Sequence, residues 1–151
     1  MEIPSIQEEE DEFDGPILFH QEDTDFELPM ADVHAQWIQR LIQAEKASLS
    51  QLNFIFCSDE ALLKINIEYL NHDTYTDIIT FPYAKPPEIE GDIFISIDRV
   101  KENATHFGNS FEEELRRVMS HGVLHLCGYG DKTAEEKKQM RKKEAEAMQL
   151  F

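Results

Sequence analysis

Two capping boxes set the architecture of the last third of the chain. Ser110-x-x-Glu113 and Thr133-x-x-Glu136 each place a carboxylate three residues after a hydroxyl, so that backbone N–H groups at a helix start are satisfied reciprocally. Gly128 lies between them, and glycine adopts the left-handed conformation that ends helices without a Cβ clash. The pattern predicts a helix from the first box to about Cys127 and a sharp turn. A terminal helix follows, with Met140, Ala145 and Met148 on one side.

The first two thirds read as alternating strands and helices. Ile17-Leu18-Phe19 is a short strand, and Val33, Trp37, Ile38, Leu41 and Ile42 recur at helical spacing over about 32–46. Leu52, Phe54 and Phe56 alternate as in a strand, Ser58 caps a helix reaching about Leu70, and 77–81 is a β-branched and aromatic strand. A strand over 91–97, apolar on both faces, precedes a helix over about 98–107. Strands early and helices late indicate an α+β class, with one mixed four-stranded sheet packed with helices in a single domain.

Charge is distributed unevenly. Of the net −17, residues 1–32 contribute twelve acids and no Lys or Arg, and the other 119 residues carry 19 acids against 14 bases. Residues 1–14 are expected to be an acidic, mobile segment and 15–151 the folded domain. An acidic surface opposes polyanion binding. The exception is 132–143, where Lys132, Lys137, Lys138, Arg141, Lys142 and Lys143 outnumber Glu135 and Glu136. That run either draws in phosphates or is a solvated helix face. No stretch approaches the ~20 apolar residues of a membrane span, so a cytoplasmic protein with reduced Cys57 and Cys127 and no membrane partner is expected.

The chemistry concentrates at 120–131. His121 and His125, four apart on a helix, share one face and can converge on a single ion. Gly128 then turns the chain so that Asp131 can supply a third ligand, leaving a fourth position open as in catalytic zinc sites. The competing reading makes the two histidines packing residues of a half-buried helix and Asp131 a turn residue. Gly122 stands where metalloproteases of the His-Glu-x-x-His type carry their general base, which disfavours peptide hydrolysis.

His121-Gly-Val-Leu-His-Leu-Cys-Gly-Tyr129 resembles the signature of the YbeY family of bacterial endoribonucleases, His-Gly-x-Leu-His-Leu-x-Gly-Tyr-Asp-His. Asn66, Tyr69, Thr76-Asp77, Phe81-Pro82, Gly91-Asp92-Ile93, Glu114-Leu115, Met140 and Glu144 also fit the family pattern, over about residues 52–148. The resemblance implies a zincin-like fold and one Zn2+ per chain held by His121, His125 and a third residue. It implies hydrolysis of single-stranded RNA rather than DNA, with ribosomal RNA 3′-end maturation and ribosome quality control as the setting. Two departures stand out. The family's third histidine aligns without gaps to Asp131, and with a one-residue gap to Lys132, whose ammonium cannot coordinate metal. Leu70 occupies the place of an arginine, and Lys64, Lys132 or an arginine elsewhere are the cations open to compensate.

Asp77 and Asp92, at or near strand ends, are candidates to orient the histidines, or else capping and turn residues. Three functions are therefore expected in order: a zinc-dependent endoribonuclease acting on single-stranded or ribosomal RNA, a zinc hydrolase of another substrate, and a ribosome-associated assembly factor with weak catalysis.

Overall fold

The computed structural model describes residues 15–151, and the expected mobile segment 1–14 lies outside the described residues. The elements run β1 (Ile17–Glu22), α1 (Ala31–Ala44), β2 (Ser48–Cys57), α2 (Asp59–Leu70), β3 (Ile78–Pro82), β4 (Glu88–Ser96), α3 (Ile97–Phe107), α4 (Phe111–Leu126) and α5 (Ala134–Gln149). The sheet has the order β1-β2-β4-β3, with β1, β2 and β4 parallel and β3 antiparallel on the edge. This is the mixed four-stranded α+β domain expected.

Strand alternation sorts the side chains. Leu52, Phe54 and Phe56 of β2 and Ile89, Ile93 and Ile95 of β4 enter one core with Trp37 of α1 and Val123 and Leu124 of α4. The other face of β3 and β4 is covered in part by α2, through Leu62 against Ile79, with Phe81 and Phe94 alongside. Cover on both sides explains why β4 is apolar on both faces.

Differences from the expected boundaries have local causes. β4 ends one residue before Ile97 because the Ser96 hydroxyl accepts the backbone N–H of Arg99 and caps α3. Pro82 closes β3 from within the strand, a position open to proline on a sheet edge. α1 stops at Ala44 as Lys46 turns left-handed at φ 59°. The inward face of α5 is Met140, Glu144 and Ala147, not Met140, Ala145 and Met148, so a carboxylate takes the middle of the buried stripe. α1 docks on this helix, its fully buried Trp37 donating Nε1–H to the Ala147 carbonyl at 2.8 Å.

Candidate metal centre

The capping box forms at the start of α4 as the sequence predicts, and Leu115, Val118, Met119, Val123 and Leu124 bury one side of the helix. Gly122 sits at the contact with the sheet. A Cβ there would lie 2.9 Å from Ile78 Cδ1 and 3.0 Å from two atoms of Ile93. A side chain at the position after His121 would therefore force Ile78 and Ile93 to give way.

His121 and His125 lie beside this contact, one turn apart, with ring centroids 4.6 Å apart and planes at 85°. Cys127 caps the helix, Gly128 takes φ +108°, and the chain doubles back to Asp131. The Oδ2 of Asp131 stands 3.3 Å from His121 Nε2 and 3.5 Å from His125 Nε2, and the three ligand atoms all lie within 4.8 Å of one another. Tetrahedral bonds of about 2.0–2.1 Å give ligand–ligand edges of roughly 3.3–3.4 Å, and the two edges from Asp131 to the imidazoles match that length.

The second nitrogen of each ring is also engaged. His125 Nδ1 lies 2.9 Å from the Tyr129 carbonyl oxygen, an acceptor only, so Nδ1–H donates and Nε2 is left with its lone pair toward Asp131. His121 Nδ1 lies 2.6 Å from Glu144 Oε2. Tyr129 is pinned in turn by its hydroxyl, which donates to Glu45 at 2.7 Å, and Lys143 meets the other Glu45 oxygen at 3.1 Å.

Behind Glu144 stands an ion-pair network. Arg117 donates to Glu144 at 3.2 Å and to both oxygens of Glu114 at 3.2 and 2.6 Å. The hydrogen bond to the fully buried Glu114 side chain holds the Arg117 guanidinium more firmly protonated than usual. Sequence reasoning assigned no role to Glu144 or Glu114. The available signal was an acid on a buried stripe, between Met140 and Ala147 in one case and beside Leu115 in the other, where an unpartnered carboxylate is rarely tolerated.

The two aspartates proposed as histidine partners part company. Asp92 does not reach a histidine. Its neighbours Gly91 and Ile93 face α4, so strand alternation turns Asp92 to the other face, where it accepts from Asn53 at 3.0 Å and Tyr83 at 2.8 Å. Asp77 lines the cleft beside His121, and burial pushes its carboxyl above the usual range against the opposing pull of Arg117 and His121. That cleft of about 760 Å³ is lined by Leu70, Tyr75, Asp77, His121, His125 and Lys132 among others. Lys132 is thus on the cleft wall rather than among the clustered donors.

The chain matches the family model described as Endoribonuclease YbeY over residues 17–151. A relative from Flavobacterium johnsoniae with that name is 50% identical over 129 residues, covering 85% of this chain and 93% of its own. Another, from Amoebophilus asiaticus, is 52% identical over 130 residues, covering 85% and 88%. A solution structure of a Thermotoga maritima protein superposes with a TM-score of 0.68 at 27% identity, over 89% of this chain and 87% of that one. With the family pattern running through the whole described fold, the chain belongs to the YbeY endoribonuclease family.

Proposed function

We propose that this chain is a zinc-dependent endoribonuclease that cuts single-stranded RNA, and that it works in the cytoplasm on ribosomal RNA, in small-subunit 3′-end maturation and ribosome quality control. The observation that carries the reading is the convergence of His121 Nε2, His125 Nε2 and Asp131 Oδ2 on the wall of an open cleft. Two imidazoles and a carboxylate are a zinc donor set, and three protein ligands leave a position for water or substrate. When bound, the ion supplies Lewis-acid stabilisation of phosphoryl oxygens and lowers the pKa of water toward neutrality.

The chain's own residues perform the remaining tasks. Glu144 and the Tyr129 carbonyl engage the Nδ1 atoms and so orient both rings with Nε2 toward Asp131. Lys132 brings a positive charge to the cleft wall for a phosphate. The cleft has the size of a small-ligand site, which suits an unpaired strand and not a duplex. Leu70, which lines the cleft, favours a second reading in which the substrate is less charged.

His125→Ala in the full chain tests the proposal. The variant is expected to lose its zinc and its cleavage of single-stranded RNA while keeping its fold. A zinc-loaded wild-type chain that leaves single-stranded RNA intact would overturn it.

A further inference from the structure

The basic residues that follow the cleft are not equivalent, and α5 separates them. At about 100° per residue, the inward face of the helix runs from Lys143 through Ala147 and Met140 to Glu144. Lys143 faces Glu45 and Tyr129, on the α1 side. Glu144, at the other end of the arc, faces His121 and Arg117. Continuing round the helix in that same direction, Lys137 comes next at about 20° beyond Glu144 and Arg141 at about 60°. Both are exposed. Lys138 and Lys142 follow at about 120° and 160°, pointing to solvent away from the histidines. The acids Glu135 and Glu146 lie farther still, at about 180° and 200°.

The sector beside the metal-binding face therefore carries cations and no carboxylate of α5. Lys132 stands where the cleft meets the foot of α5. Its side chain lines the cleft wall, and its backbone N–H is tied to Glu136 Oε1 at 2.9 Å, which fixes the loop at the foot of α5. Elsewhere a chain of net charge −17 repels a polyanion, so a strand passing through the cleft meets attraction chiefly where cations are grouped.

We infer that Lys132, Lys137 and Arg141 form a path for the phosphates of a single RNA strand as it leaves the cleft along α5, and that Lys138 and Lys142 take no part in it. The inference rests on the ribonuclease reading and deepens it by naming the surface that holds RNA beyond the scissile bond. The occupant is a polyanionic strand because the path is cationic and exposed and starts from a lysine of the cleft wall.

Charge-matched pairs provide the test. Lys137→Gln with Arg141→Gln, and Lys138→Gln with Lys142→Gln, remove the same charge from the same helix. Binding of poly(U) to the zinc-loaded full chain is measured across salt concentrations, together with zinc content and cleavage of a short oligouridylate that fills only the cleft. The first pair is expected to flatten the slope of log K against log salt by about 1.4, or about 0.7 per lost phosphate contact. The second pair is expected to leave the slope near wild type. Both should keep zinc and cut the short substrate. Equal flattening by the two pairs, or none by the first, in a chain that still cuts RNA overturns the path alone. A wild-type chain that cuts neither RNA sinks the ribonuclease reading and the path together.

Discussion

The Glu144 carboxylate bridges two helices at one point, meeting His121 Nδ1 through one oxygen at 2.6 Å and Arg117 through the other at 3.2 Å. It orients the ring of a candidate metal ligand while its own charge is balanced from behind. Glu144→Ala should weaken zinc affinity by about 10–100-fold, with Glu144→Gln between the variant and wild type because it keeps an acceptor. Chelator competition reads the effect, and unchanged affinity in the alanine variant would show that the contact does not orient the ring.

Asp131→Ala removes an oxygen from the cluster and leaves two histidines, too few to hold zinc firmly. Zinc per chain after dialysis should fall well below one. Asp131→His, which restores a neutral donor at the position, should retain the metal. Full zinc occupancy in the alanine variant would place the third ligand elsewhere.

The Glu114 side chain is fully buried and accepts two bonds from Arg117. Glu114→Ala leaves the guanidinium with Glu144 alone and should cost about 3 kcal/mol in urea unfolding, at the low end for broken buried pairs because Arg117 keeps that partner and is 36% exposed. Glu114→Gln, which keeps an acceptor for Arg117, should recover part of that loss. A glutamine variant as unstable as the alanine one would contradict this account.

Gly122→Ala puts a methyl against Ile78 and Ile93 where 2.9–3.0 Å is available. The expected loss is about 1–3 kcal/mol as α4 lifts from the sheet, with weaker zinc binding because both histidines ride on the displaced helix. Denaturation midpoint and metal affinity should fall together.

Burial pushes the thiols of Cys57 and Cys127 up to about 12. The folded chain therefore favours the protonated form relative to the unfolded chain. The associated stability is complete below about pH 8.5 and is lost as pH rises toward 12. At pH 8 both thiols should react with iodoacetamide far more slowly in the native protein than in urea. Rapid native labelling would show that they are accessible.

What the sequence made legible was local. The capping boxes at Ser110 and Thr133 and the Ser58 cap depend on neighbouring residues and form as read. Gly128 and the imidazole spacing bring His121, His125 and Asp131 together because a single turn suffices. Contacts between distant segments were hidden. The pairing of β2 with β4 is set by packing across the sheet, and Glu144 meets His121 only because α5 folds back along α4. Asp92 turns away from the histidines because Gly91 and Ile93 on either side take the α4 face of β4 and leave it only the opposite one, a relation fixed by strand face rather than by position near a strand end.

Both histidines precede α5 in the chain, yet the carboxylate that steadies the first of them belongs to that helix, as does Lys143, which helps pin the tyrosine serving the second. During synthesis the ligand-bearing segment leaves the ribosome earlier than its supports. A nascent chain thus carries the two imidazoles before the groups that fix their orientation, and the arrangement is complete only once α5 has packed along α4.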